Sequence, residues 1–177
     1  MGDRESAAAE ERQAQFGQAV ELCERRRYYQ AAELLQALHR LPVLVGQQEL
    51  HLAVQSYLGL SIARSVGDYD EGRRLARVGL ASRRYRAHAC HNLALIYLDQ
   101  KDRGSAVPLI HKGLRVDPRH RGLLLLAKSI GVRRRPPLSF LRRGHPLNVL
   151  LGRLRRRLFP QRGIPLPVGD SDAFYFE

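Results

Sequence analysis

Two histidines and a cysteine lie close together in the middle of the chain, as His88, Cys90 and His91. On a helix, His88 and His91 are one turn apart, so both rings could bind one metal ion. A stable tetrahedral zinc site needs three or four ligands, and Cys90 belongs to the apolar face that points away from the histidines. A cysteine–histidine nucleophile is equally unfavourable, because no third group orients the histidine and no oxyanion hole is supplied. We therefore expect neither a metal site nor a catalytic site here.

Sequence motifs of the common enzyme classes are absent from the chain. It contains no phosphate-binding GxxxxGKS or GxxxxGKT, no HExxH, no GxSxG and no GxGxxG. The 177 residues, 44% of them hydrophobic, suffice for one domain with a real core. The sequence predicts a non-enzymatic protein without a cofactor.

Hydrophobic patterning and cysteine content indicate the compartment. The longest apolar run, Leu93 to Leu98, has six residues, whereas a membrane-spanning helix needs about 20. The chain starts with the acidic, polar segment MGDRESAAAEER, which lacks the apolar stretch of a secretory signal. Two cysteines, Cys23 and Cys90, cannot form a disulfide framework. We expect a reduced, cytoplasmic protein whose contact with membranes, if any, is peripheral.

The net charge of +13 is concentrated in one stretch of the chain. Residues 1–117 hold 17 basic and 14 acidic side chains, whereas residues 118–169 hold 13 basic side chains and no acidic one. The last eight residues, 170–177, form an acidic and aromatic tail with a charge of −3. A basic block of this kind normally has an anionic counterpart: nucleic acid, a lipid surface or an acidic protein face.

The basic block contains a proline- and arginine-rich extension over residues 132–169. Within it, a helix is predicted at about 147–159, where leucines at helical spacing form one stripe and arginines surround it. Such a helix can lie in a layer of anionic lipid headgroups, fold back on the rest of the chain, or follow the phosphates of RNA or DNA. Nucleic acid ranks last, because few aromatic side chains accompany the arginines. The arginines proposed to contact an anionic surface are Arg133, Arg134, Arg135, Arg142, Arg143, Arg153, Arg155, Arg156 and Arg157.

An internal repeat of 34 residues precedes this extension. The segment GDYDEGRRLARVGL at residues 67–80 returns as KDRGSAVPLIHKGL at residues 101–114, with Gly79 matching Gly113. Each unit predicts two helices joined by a tight turn, because its apolar residues recur three and four positions apart. Pro108 would fall in the first turn of a helix capped by Ser105, where a missing N–H costs little.

The unit at residues 87–120 resembles a tetratricopeptide repeat along its whole length. That family places small residues where the two helices touch, an aromatic residue late in the first helix and a proline at the end of the unit. The matching residues are Ala94, Ala106, Gly113, Tyr97 and Pro118. The units at 52–86 and 13–41 match less closely, and a capping helix is expected at 119–131. The resemblance implies an all-α fold: an α-solenoid of stacked antiparallel helix pairs over residues 13–131, with a flexible segment at 1–12 and the basic helical extension behind it.

The resemblance also implies a concave face, lined by the first helix of each pair, that holds a peptide or helix of a partner protein. On that face it places Tyr57, Leu60, Arg64, His88, His91, Asn92, Leu95 and Asp99, with Gly17, Glu21, Glu24 and Arg25 in the first unit. The expected function is that of an adaptor or scaffold whose basic segment contacts an anionic surface. The alternative is an RNA-binding protein that uses the same arginines.

Overall fold

The computed structural model describes residues 2–43 and 46–130, and these residues contain helices and no β-strand. The described α-helices are α1 (Gly2–Glu24), α2 (Tyr28–Arg40), α3 (Gln48–Ser65), α4 (Tyr69–Val78), α5 (Arg86–Asp99), α6 (Arg103–Val116) and α7 (Arg121–Ser129). A single 3-10 turn, Gly79–Ala81, follows α4. The prediction of an all-α chain is confirmed for the described residues. The predicted helix at 147–159 and the acidic tail lie outside them.

The first helix differs from the expectation of a flexible segment at residues 1–12. It begins at Gly2, and its early residues are mostly alanine, glutamate, arginine and glutamine, which favour helix. This part of α1 also has tertiary contacts. The backbone carbonyl of Ala9 accepts a hydrogen bond from Gln47 Nε2 at 3.1 Å, and Arg12 Nη1 donates to the Pro42 carbonyl at 2.8 Å.

Aspartates cap the second helix of two successive pairs at equivalent positions. The Asp68 carboxylate accepts a hydrogen bond from the Glu71 amide, and the Asp102 carboxylate accepts one from the Ser105 amide, both at 3.0 Å. Such caps satisfy an amide that has no partner within its own helix. The cap of α6 is therefore Asp102 rather than Ser105, so Pro108 lies inside the helix and not in its first turn.

The turns between paired helices share one backbone conformation. Arg26, Gly67 and Lys101 precede the caps of α2, α4 and α6, and all three have left-handed φ angles, of 59°, 79° and 60°. In the last of these turns the Asp102 amide donates to the Tyr97 carbonyl at 2.9 Å, which reverses the chain within a few residues. Glycine meets this requirement without strain, whereas the other two positions adopt it with a side chain.

Helices α3 and α4 form an antiparallel pair whose backbones touch. A Cβ atom on Gly59 would lie 2.7 Å from the Ala76 amide nitrogen and closer still to the Gly72 carbonyl oxygen. A Cβ atom on Gly72 would in turn lie 2.8 Å from the Cβ of Ala63. In the next pair, Ala94 and Ala106 are fully buried. Small residues therefore allow the close approach in both pairs.

Two clusters of buried side chains form the core. One joins α1, α2 and α3 through residues such as Phe16, Leu35 and Leu58. The other joins α3, α5, α6 and α7 through residues such as Leu93 and Leu123. Among the described residues, no helix combines the length and the apolar character needed to cross a bilayer.

Two glycine-to-alanine substitutions should have opposite effects on stability. An added Cβ at Gly17 meets no atom within 4 Å, so Gly17→Ala should stabilise the fold by about 0.5–1 kcal/mol through helix propensity. Gly59→Ala has the same propensity gain but forces the α3 and α4 backbones apart, so a net loss of about 1–3 kcal/mol is expected. Urea unfolding of the full chain, followed by circular dichroism, measures both. Equal stabilisation by the two substitutions would refute the backbone contact.

Candidate functional site

The face predicted to bind a partner lies along α3 and α5, and half of its eight residues are buried. Tyr57, Leu60, Asn92 and Leu95 are between 1% and 8% exposed. The expectation that these four line an open groove is therefore corrected, because Tyr57 packs against Phe16 of α1, and Leu60 and Leu95 belong to the apolar cluster shared by α3, α5, α6 and α7. Of the other four, Asp99 is exposed, whereas Arg64, His88 and His91 are partly buried.

The buried members make contacts inside the chain. The ring of Tyr57 packs edge to face against Phe16 of α1, with centroids 5.5 Å apart. Burial raises the pKa of the Tyr57 hydroxyl, which stays neutral. The Asn92 Nδ2 donates to Ser56 Oγ at 3.2 Å across the α3–α5 contact. These side chains hold the helices together rather than present a surface.

Arg64 and Asp99 form an ion pair between α3 and α5. Arg64 Nε lies 2.8 Å from Asp99 Oδ2, and its Nη2 lies 3.0 Å from Oδ1, so the pair is bidentate. Arg64 Nη1 also donates to the Tyr28 hydroxyl. Burial is the largest single influence and opposes the charge of Arg64, but the hydrogen bonds and charges of Asp99 and Tyr28 together outweigh it, so the pKa of Arg64 is raised. An anionic ligand would therefore have to displace Asp99.

A cluster of three histidines joins α5 to the start of α7. The ring centroids of His88 and His91 lie 4.6 and 5.4 Å from that of His120. His120 caps α7, because its Nδ1 accepts a hydrogen bond from the Leu123 amide at 3.3 Å. The accepting nitrogen carries no proton, which assigns the proton of a neutral His120 to Nε2. His120, which lies 29 residues beyond His91, is not among the site residues predicted from the sequence. Its position directly before the apolar run of α7 is the sequence feature that could have indicated a capping residue.

The histidine cluster is held in the neutral state. Buried nitrogens of two rings, His88 Nδ1 and His91 Nε2, have no hydrogen-bond partner. Burial and the neighbouring His120 lower the pKa of His91 to about 3, and burial also lowers the pKa of His88 and His120. The carboxylates of Asp117 and Glu24 act in the opposite direction on His88. Protonation of this cluster would therefore oppose the packing of α7.

Metal and thiol chemistry receive no support from the residues at 2–43 and 46–130. In these ranges, no group of three or more histidine, cysteine, aspartate or glutamate side chains is placed to hold a metal ion. Cys90 is fully buried beside Gly113 of α6, whereas the ring of His91 lies against Gly122 of α7. Burial raises the pKa of the Cys90 thiol, which stays protonated and weakly nucleophilic.

The residues that the resemblance places on this face in the first unit lie on α1 and just after it. Gly17, Glu21, Glu24 and Arg25 are all exposed, and Arg25 Nη2 pairs with Glu21 Oε1 at 2.6 Å. A side chain added at Gly17 would enter open space. The arginines from Arg133 to Arg157 proposed to contact an anionic surface lie outside the described residues. No family model matches the chain, and no curated protein matches it.

The histidine cluster should make the fold sensitive to acid. Because the pKa of His91 is lowered in the folded state, the unfolded chain takes up its proton first as the pH falls below about 6.5. Stability attributable to His91 is thus complete above that pH and is lost, by about 1.4 kcal/mol per pH unit, as the pH falls towards 3. Between pH 7.5 and pH 5.0, the free energy of unfolding measured with urea should fall by about 2 kcal/mol less in His91→Phe than in the wild type.

The control is His111→Gln, which removes an exposed imidazole from α6. Identical pH profiles for His91→Phe and the wild type would contradict the assignment.

Proposed function

We propose that this chain is a non-enzymatic adaptor of the tetratricopeptide type. In this proposal three helix pairs stack as an α-solenoid, α7 covers the open end, and the face formed by α1, α3 and α5 holds a peptide or helix of a partner protein. The observation that carries the proposal is a contact that recurs at an interval of 34 residues.

The recurring contact is made by a glycine between three successive helices. A Cβ on Gly79, just after α4, would touch the Cβ atoms of Ser56 in α3 and Ala89 in α5, the latter at 3.2 Å. The second contact is made by the residues that lie 34 positions later in the chain than those of the first. A Cβ on Gly113, in α6, would touch Cys90 in α5 and Leu123 in α7, the former at 3.0 Å. Equivalent contacts at equivalent positions are what stacked repeats require. The shared turns at Gly67 and Lys101 support the same spacing.

The partner-binding surface in this proposal is narrower than the sequence implies. With Tyr57 and Leu95 buried, recognition depends on the exposed side of α1 and on the partly exposed Arg64, Asp99 and His88. This surface carries both acidic and basic groups. A partner segment with both charges would complement it, and Gly17 leaves room for the segment's backbone.

Filling the open space at Gly17 should block this surface without disturbing the fold. Gly17→Arg adds a long side chain where no atom lies within 4 Å. Partners captured from cell extract by the full chain should fall at least about tenfold, because the added side chain occupies their site. Quantitative mass spectrometry of the captured proteins measures the change.

A matched control tests whether the effect belongs to this face. Gly104→Arg makes the same exchange at an exposed position near the start of α6, and it should leave the capture unchanged. The adaptor proposal fails if Gly17→Arg captures the same proteins in the same amounts, or if the wild type captures nothing above background.

A second candidate function, contact with an anionic membrane surface, is favoured by the charge distribution. Residues 118–169 carry 13 basic side chains and no acidic one. Each arginine near an anionic bilayer contributes about 1 kcal/mol. RNA binding through the same arginines is the alternative, and it would show a steep dependence on salt.

Neutralising four arginines should separate these possibilities. The exchange of Arg153, Arg155, Arg156 and Arg157 for glutamine should lower binding to phosphatidylserine vesicles by about three orders of magnitude, as measured by co-sedimentation of the full chain. Exchange of the same four for lysine keeps the charge and should retain most of the binding. Failure of the wild type to sediment with vesicles, together with salt-dependent RNA binding on filters, would reject the membrane in favour of RNA.

A further inference from the structure

A cleft opens between α2 and α4, with α3 as its floor. Helices α2 and α4 both pack against α3 but stand apart from each other. The resulting space has a volume of about 510 Å³, and its lining includes Tyr29 and Glu33 from α2 and Glu71 from α4. The space is open to solvent on one side and forms a groove on the surface of the described chain.

The cleft faces away from the surface proposed above. Successive residues of a helix are about 100° apart around its axis. Leu58, Ile62 and Val66 therefore lie on the side of α3 roughly opposite Tyr57 and Arg64. The cleft is a separate surface, and an occupant would not compete with a ligand on the α1, α3 and α5 face.

The two most exposed large apolar side chains among the described residues both line this cleft. Tyr29 is 67% exposed and Val66 is 73% exposed. Tyr29 belongs to α2, whereas Val66 directly follows α3 and lies one turn beyond the partly buried Ile62. Apolar groups that converge on a concavity mark a binding site more strongly than single exposed ones, because an occupant can remove several from water at once.

The charged groups of the cleft are all acidic. Its lining contains the carboxylates of Glu33, Asp68 and Glu71 and no basic side chain, although the whole chain has a net charge of +13. Asp68 also caps α4, and Glu71 pairs with the exposed Arg74 at 2.6 Å, which lowers the pKa of the Glu71 carboxyl. Glu33 is exposed on the α2 wall. Glu33 is therefore the carboxylate of the cleft that an incoming cationic group can reach without displacing Arg74.

We propose that this cleft binds a cationic amphipathic segment of a partner protein. Apolar side chains of the segment would contact Tyr29 and Val66, and its arginines or lysines would pair with Glu33, since Arg74 already binds both oxygens of the Glu71 carboxylate. Arginine suits the second role best, because its planar guanidinium binds a carboxylate through two hydrogen bonds. A helix with its apolar face in a groove and its charges on the rim has this chemistry.

The test uses the full chain and a fluorescent model peptide, with leucines at helical spacing and arginines at the remaining positions. Fluorescence anisotropy should show binding of this peptide and at least about tenfold weaker binding of a peptide in which glutamine replaces arginine. Glu33→Lys should weaken binding of the arginine peptide about tenfold. Glu10→Lys makes the same charge change at an exposed position of α1 and should leave the affinity unchanged.

A second pair of variants tests the apolar contact. Val66→Ser should weaken binding several-fold, whereas Val116→Ser, at the exposed end of α6, should not. Gly17→Arg should also leave peptide binding unchanged, so the cleft can succeed or fail independently of the adaptor proposal. The cleft proposal is overturned if the arginine peptide does not bind. It is equally overturned if Glu10→Lys weakens binding as much as Glu33→Lys does, and Val116→Ser as much as Val66→Ser. It is also overturned if Glu33→Lys abolishes self-association of the chain in sedimentation without affecting the peptide, since the occupant would then be a second copy.

Discussion

The close approach of neighbouring helices, direct between the α3 and α4 backbones, is the constraint on which the rest of this structure depends. Where Gly59 meets Gly72, neither position has room for a Cβ atom, so α3 and α4 approach more closely than larger side chains would permit. The glycine contact at Gly79 extends this approach from α4 to α5, and the one at Gly113 extends it from α6 to α7. Leucines and alanines on the facing sides of these helices are removed from water, and this burial provides most of the favourable free energy.

Close packing also explains why the predicted partner surface is smaller than expected. Helices this near to each other cover the side chains between them, so Tyr57 and Leu95 become core and Asn92 is held by Ser56. Polar side chains between these helices are either paired, as in the Arg64–Asp99 ion pair, or neutral, as in the histidine cluster. A neutral buried imidazole without a hydrogen-bond partner has an energetic cost that grows as the pH falls. The junction between α5 and α7 is therefore the acid-sensitive part of the described fold.

The described helices offer two surfaces of different chemistry. The exposed side of α1 carries both signs of charge around Gly17, whereas the cleft between α2 and α4 is apolar and acidic. They are the surfaces of the two binding proposals made above. Since they lie on opposite sides of α3, an adaptor could use them together, with one partner on each.

Local rules explain what could be predicted from the sequence alone: the helical class, the 34-residue period and the turns before α4 and α6. Helix periodicity and turn residues act over a few positions, and their signals are therefore contiguous in the chain. The cap of α6, predicted at Ser105, is Asp102. The early helical residues of α1 could have been predicted in the same way from their composition. The burial of Tyr57, the arrival of His120 beside His91 and the cleft beside Val66 depend on distances between helices that are far apart in sequence. Such distances result from the packing of many side chains at once, and only the tertiary structure determines them.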